Sequence, residues 1–383
     1  MSEETARERR RSRRRKRFRL VGAFLIPVVL LTLAEAALEL TAPIPASGYL
    51  LRSLRLKENP PSREREARPT DEYLKGTEGL DSGPYVLRTD ADGFVEPSFV
   101  HDHADHLLVF LGGSTTECLY MAEEARFPYR VGRVLETLLG ATVNSVNAGV
   151  DGAHSMHSNL GLVAKVLPKK PRAVVLMHCL NDLVTLLYEG GYWNRHKQRS
   201  LITARKIQGQ VERSSPLRGV RSLARSTFPQ LYIRTRALLS APRSSDEWAH
   251  RRGGQLEFDE PEALRAFDRS LRLFVQVCRS HDVVPLLMTQ MHRFTPQASS
   301  ALRRSWSLSM GGLGMEYVDW CGLYTRFNQR IRTVSDQLKV PLVDLERHVH
   351  SGPEEMYDFV HLTAKGSERV AQLAAERLAT VLR

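Results

Sequence analysis

The chain has 383 residues, 42% of them apolar, which is enough to bury a full core and too many for disorder throughout. Its four cysteines, Cys118, Cys179, Cys278 and Cys321, lie far apart and form neither a CxxC pair nor a zinc-type cluster, and no period of 20 to 50 residues recurs. The net charge of +12 is concentrated in two blocks, residues 1–19 with ten Arg or Lys against three Glu and residues 195–253 with fourteen against three acids, and neither block carries a DNA- or RNA-reading motif, so no nucleic-acid partner is expected.

At the N-terminus RRRSRRRKRFR runs directly into LVGAFLIPVVLLTLAEAALEL, where residues 20–34 carry no charge. This order predicts a basic cytoplasmic tail over residues 1–17 and one transmembrane signal-anchor over residues 18–40. The roughly 20 residues a span requires are available if Arg19, Glu35 and Glu39 reach toward the interfaces. Positive charge ahead of the span keeps the N-terminus in the cytoplasm and puts the rest outside, in a periplasm or beyond the cell. A cleaved signal peptide uses the same order, and Ala34-Glu35-Ala36 resembles a cleavage site. No Phe-Leu pair follows the arginines at the offset a twin-arginine signal uses, and a buried core helix fits poorly after ten basic residues. The uncleaved anchor is the favoured reading.

Residues 41–100, with PIP, NPPS and mixed charge, read as a stem and lead-in segment, and TDADGF at 89–94 as a turn. A globular domain is expected over residues 101–383. Its strand candidates are LLVFLG (107–112), VNSVNAG (143–149), RAVVLMHCL (172–180), VVPLLMTQ (283–290) and VPLVDLE (340–346). Their unbroken apolarity fits strands buried on both faces. Helical patterns near 127–139, 155–167, 261–280 and 321–338 alternate with them, which predicts a parallel five-stranded sheet covered by helices on both sides. The final segment puts Val370, Leu373, Ala374, Leu378, Val381 and Leu382 on one helical stripe. Residues 186–256, rich in Arg and Ser and containing Pro216, Pro229 and Pro242, break the rhythm as a basic insertion after the third strand. Its charge suits an anionic substrate or lipid surface near the site; a solvated loop with no partner is the plainer alternative.

In sheets of this kind chemistry sits just beyond the carboxyl ends of the strands. After the first strand comes LGGSTTE, where two glycines permit a sharp turn and leave Ser114 at the mouth of the next helix, with amides and helix dipole directed at developing negative charge. After the second comes NAGVDGAHS, where Gly152 offers an unobstructed N–H. After the third comes HCLND, where the Asn181 amide is an uncharged donor. Near the C-terminus DFVHLT places Asp358 three residues before His361, a spacing that lets the carboxylate fix the imidazole tautomer. Ser114 needs such a base within reach to act as a nucleophile.

These four segments, in this order, resemble the sequence blocks of the SGNH, or GDSL-like, hydrolase superfamily in its bacterial membrane-anchored form. The resemblance spans roughly residues 90–383 and implies a flavodoxin-like three-layer α/β/α fold. It makes Ser114, Asp358 and His361 the catalytic triad and Ser114, Gly152 and Asn181 the oxyanion hole. Two positions depart from the usual pattern: GGST replaces GDS, and Cys179 stands where the family usually has Gly. The implied function is that of a serine esterase acting on O-acyl esters through an acyl-enzyme, outside the membrane, with acetylated polysaccharide a candidate substrate. Polysaccharide O-acetyltransfer uses the same machinery, and a non-catalytic carbohydrate-binding scaffold is the alternative of another class. No cofactor or metal ion is expected, and no oligomeric state is specified. HDHADH (101–106) reads as a solvated loop, Cys118 as a small apolar group inside its helix, and His154, His157 and His178 as candidates for contact with substrate.

Overall fold

Each of the five apolar runs forms a parallel strand: β1 His106–Gly112, β2 Val143–Gly149, β3 Ala173–Met177, β4 Val284–Met288 and the short β5 Leu342–Val343. Their order in the sheet is β2-β1-β3-β4-β5, with the first strand flanked by the second and third. Gly112 is level with both Gly149 and Met177, and Met177 with Met288, so the carboxyl ends finish in one row. The α-helices that follow β1 are α1 Ser114–Glu117, α2 Phe127–Leu139, α3 Ser155–Gly161, α4 Leu180–Glu189, α5 Glu260–Arg279, α6 Ser300–Ser309, α7 Tyr317–Leu338, α8 Leu345–His348 and α9 Ala364–Leu382. This computed structural model describes residues 56–206 and 247–383, the strand Leu50–Leu54 and scattered helical residues between 15 and 33.

Alternate residues of each strand enter opposite cores, which explains their continuous apolarity. Val109, Leu111, Val174, Leu176 and Leu287 join Phe267, Phe274, Phe327 and Ile331 of α5 and α7 on one face. Leu108, Phe110, Val175, Leu286 and Met288 join Val131, Leu135, Ala374 and Leu378 of α2 and α9 on the other. Fully burying a Leu- or Phe-sized side chain is worth roughly 1.5–3 kcal/mol, so these two cores set the three-layer α/β/α arrangement. The stripe expected on α9 is the buried one, with Val370, Ala374, Leu378 and Leu382 inside.

Helix 127–139 has its expected limits and stops at Gly140 in the left-handed conformation. The helix expected over 155–167 is regular only to Gly161, then passes into a wider turn over Leu162–Val166. The turn read in TDADGF is closed by Asp90, whose Oδ1 accepts the amides of Asp92 and Phe94 at 2.9 Å each. Ahead of it Glu64–Ala67 and Tyr85–Arg88 pair antiparallel, with a short helix, Asp71–Leu74, between them.

The chain divides into two units, residues 54–202 with 244–383, and residues 1–53 with 203–243. The first contains the parallel sheet. Leu50–Leu54 forms a two-stranded sheet with Ile202–Lys206, and all of it but Leu54 and Ile202 belongs to the second unit. Among the described residues no helix is long and apolar enough to cross a membrane. Most of the segment 18–40 lies outside the described residues, as does 207–246 within the basic insertion. The described flanks of that insertion are knit into the fold. Arg199 binds Glu247, Arg251 lies 3.5 Å from Glu189, and Arg252 donates to the carbonyls of Leu308 and Ser309 at 2.8 and 3.1 Å.

Candidate active site

Beyond β1 the chain turns through Gly113 and starts α1 at Ser114. A Cβ at Gly113 would stand 2.5 Å from Asn181 Nδ2, so the missing side chain lets the Asn181 amide approach the nucleophile turn this closely. That accounts for GGST at this position. The helix expected after Ser114 is a single turn, because Cys118 takes the left-handed conformation at φ 57° and ends it. Four residues make a weak dipole, so local amides rather than a macrodipole face the site. Cys118 itself is buried, as expected of a small apolar group, and burial pushes its thiol up to about 12.

Ser114 Oγ lies 2.9 Å from His361 Nε2, and His361 Nδ1 lies 2.7 Å from Asp358 Oδ2. The three-residue spacing has a direct cause. Asp358 Oδ1 accepts the amides of Val360 and His361 at 2.8 and 2.7 Å, which closes the turn, and the second oxygen is left facing the imidazole. The loop is fixed from outside by Arg293, whose amide donates to Phe359 O at 2.8 Å and whose guanidinium donates to Met356 O at 3.0 Å. Tyr357 stacks on the His361 ring with centroids 5.7 Å apart and planes 8° from parallel.

Burial opposes charge on both members of this pair, and the pairing prevails. Asp358 would be pushed up by burial, but His361 and the two turn amides hold it down at about 2. His361 would be pushed down by burial, yet Asp358, with help from Asp151 and Glu117, raises it above the ordinary histidine value. The imidazolium that forms when Ser114 gives up its proton is therefore stabilised in place.

Gly152 sits in a left-handed turn at φ 64°, a conformation that strongly favours glycine. Among the described residues no backbone carbonyl accepts its amide. Asn181 Nδ2 donates to Ala153 O at 2.8 Å, which ties the loop after β3 to the loop after β2 and leaves its second N–H for a ligand. Cys179, where a glycine is usual, is buried and caps α4, so the departure is absorbed by the core.

Three residues at the site escaped sequence reasoning. Tyr73, from the short helix Asp71–Leu74, donates its hydroxyl to Asp358 Oδ2 at 2.8 Å. Arg199, inside the basic block, donates to Asn181 Oδ1 at 3.0 Å. Glu117, in α1, is buried, and burial together with Asp151 pushes its carboxyl up to about 7. Tyr73 gives no signal at 285 residues' separation from Asp358, and Arg199 is lost among like charges.

His154, His157 and His178, candidates for contact with substrate, are buried at 0%, 2% and 3% exposure. They belong to a polar core between α3 and α4. Asp182 accepts the Ser155 hydroxyl, Tyr192 OH at 2.5 Å and the Ser155 amide at 3.1 Å, while His178 Nε2 meets Ser158 Oγ at 2.7 Å. This second Ser–His–Asp grouping is not arranged for nucleophilic attack. The Ser155 hydroxyl faces a carboxylate and Ser270 Oγ rather than an imidazole, and burial pushes His178 down to about 3. It orders the two loops that bring Gly152 and Asn181 together.

In HDHADH, His101 pairs with Glu136 at 2.5 Å and Asp105 accepts the Thr142 amide and hydroxyl at 2.8 and 2.7 Å, so the segment ties the sheet edge to α2. Glu189, His196 and His250 do converge, with ligating atoms within 4.8 Å. The lone pair of His196 Nδ1 already takes the amides of Gln198 and Arg199 at 3.2 Å each, and Arg251 lies beside Glu189.

The strand order, the row of strand ends and the Ser114–His361–Asp358 geometry define an α/β hydrolytic enzyme with a serine at the end of its first sheet strand. A profile of the GDSL-like lipase/acylhydrolase family matches residues 110–369, and the chain belongs to that family. It is accordingly an esterase-class hydrolase. No curated protein matches the chain. Among solved structures it is similar to an acetylxylan esterase from Geobacillus stearothermophilus, at 13% identity and TM-score 0.40, covering 72% of this chain and 94% of that one. An alpha/beta hydrolase from the metagenome of Lake Arreo, Spain, is similar at 13% and 0.40, covering 73% and 97%. A GDSL-like lipase from Bacteroides thetaiotaomicron gives 13% and 0.37, covering 72% and 89%.

Proposed function

We propose that this protein transfers acyl groups from O-esters through a Ser114 acyl-enzyme, with His361 as general base and acid and Asp358 orienting it. The observation that carries this reading is the position of His361, which bridges Ser114 and Asp358 at 2.9 and 2.7 Å. As Ser114 Oγ attacks the ester carbonyl, its proton passes to His361 Nε2. The carbonyl oxygen becomes an oxyanion received by the Ser114 and Gly152 amides and by Asn181 Nδ2. His361 then protonates the leaving alkoxide. The acyl group leaves Ser114 by the reverse sequence, with water or a sugar hydroxyl as acceptor.

A polar substrate such as an acetylated glycan is supported by a cleft that shares Tyr73 with the surroundings of Asp358. It encloses ≈ 430 Å³ and is lined by Thr70, Glu72, Tyr73, Glu247, Trp248 and Arg304, among others. Its Tyr73 wall is one hydrogen bond from Asp358, and its Glu247 wall reaches Asn181 through Arg199. A lining of charged and polar groups, Glu72, Glu247, Arg304 and Ser305 among them, suits a sugar better than a long acyl chain. An extracytoplasmic location, with residues 18–40 as anchor, is supported by the charge-free run 20–34 after the basic tail. The apolar side chains of Val21, Leu25, Ile26, Val29, Leu30 and Leu33, all on helical residues, are more than half exposed.

Fluorophosphonate labelling tests the chemistry. The unaltered protein is expected to be labelled at Ser114, Ser114→Ala to lose the label, and Ser155→Ala to keep it. Labelling at any other serine would refute the triad. Acetylated oligosaccharides, supplied with and without a free-hydroxyl acceptor, then separate hydrolysis from transfer.

A further inference from the structure

We infer that Arg199 is a positioning residue for the oxyanion hole, acting through Asn181; this rests on the acyl-transfer reading above. An amide side chain that serves an oxyanion must be held so that one N–H points into the site, and nothing intrinsic to Asn fixes its χ2 torsion. Here both ends of the amide are fixed. Nδ2 gives one N–H to Ala153 O at 2.8 Å, and Oδ1 accepts Arg199 Nη1 at 3.0 Å. An Arg donor on the amide oxygen rules out the flipped orientation, in which the NH₂ group would face the guanidinium. It also draws electron density toward Oδ1, which makes the remaining N–H a stronger donor.

Arg199 is itself locked. Its Nε and Nη2 bind Glu247 Oε1 and Oε2 at 2.5 and 3.1 Å, a bidentate grip, and its guanidinium lies over the Trp248 ring, 5.5 Å from the centroid. Only 7% of the residue is exposed, and the His154 imidazole meets its carbonyl at 2.9 Å. The Arg199 pair holds Glu247 below the usual carboxylate range, although burial alone would raise it. A surface arginine in a basic block needs none of these contacts. The planar guanidinium, with donors along two edges, fits one edge to a carboxylate and directs the third nitrogen at Asn181, which lysine cannot do.

The test is a double-substitution cycle on acylation of Ser114, measured with a fluorophosphonate and with a short acetyl ester. Arg199→Met leaves the partly buried Glu247 without its partner, so Arg199→Met/Glu247→Gln accompanies it to keep the protein folded, checked by circular dichroism and thermal melting. Both variants are expected to lose about tenfold in kcat with KM little changed, less than the roughly 10²–10³ expected for losing an oxyanion donor outright. In an Asn181→Ala background the same substitutions are expected to cost nothing further, because the group they position is gone. Equal losses in the two backgrounds, or a loss carried by KM, would overturn the inference while leaving the esterase reading intact. Failure of the unaltered protein to acylate Ser114 would overturn both.

Discussion

Replacing Asp358 by Asn tests the site most sharply, because the surroundings dictate how the new amide must lie. Asp358 accepts four hydrogen bonds: the Val360 and His361 amides on Oδ1 at 2.8 and 2.7 Å, and His361 Nδ1 and Tyr73 OH on Oδ2 at 2.7 and 2.8 Å. An Asn NH₂ group cannot face the two backbone amides, which are fixed donors; opposing them would leave both unsatisfied, at about 1–3 kcal/mol each. It must turn toward the imidazole, since the Tyr73 hydroxyl can rotate and the histidine can change tautomer. Nδ1 then accepts, and the proton moves to Nε2, facing Ser114 at 2.9 Å, where a base is required. The expected loss is about 10⁴ in kcat, the scale known for a triad locked in the wrong tautomer. Stopped-flow acylation with a p-nitrophenyl ester, with the near-ultraviolet dichroism unchanged, measures it. A loss below about tenfold in a folded protein would refute the tautomer assignment and with it the role of Asp358.

Further outcomes follow from the same geometry. Asn181→Ala is expected to slow acylation by roughly 10²–10³, read from single-turnover rates, and an unchanged rate would remove Asn181 from the oxyanion hole. His361 must be neutral to act as base, and its pKa is raised, so kcat/KM should climb with pH through a value above that of an ordinary histidine and fall away below it. Tyr73→Phe removes a donor from Asp358, concentrates charge on the carboxylate and raises His361 further. That variant should lose roughly threefold at pH 6 and little at pH 9, a pH split that a merely structural effect would not produce. A reporter fused to the C-terminus is expected to be active only outside the cytoplasm and the protein to stay with membranes until detergent is added; release as a shortened soluble form would favour a cleaved signal.

The strands were legible because each is buried on both faces and so carries an unbroken apolar run; β2 occupies the expected 143–149 and helix α2 the expected 127–139. Ser114, Gly152, Asn181, Asp358 and His361 were legible as candidates because sheet chemistry gathers beyond strand ends and Asp-x-x-His is a local turn, fixed by amides only two and three residues away. The structure supplied what no local pattern encodes. It ended α1 after one turn at Cys118, and it buried His178 against Ser158 and Asp182 and His154 and His157 against the carbonyls of Arg199 and Ser200. It also brought Tyr73 to Asp358 across 285 residues and Arg199 to Asn181 out of a run of like charges. Sequence periodicity reports which face of an element is buried, whereas these partnerships depend on which elements the sheet order makes neighbours. Only the closed fold decides that.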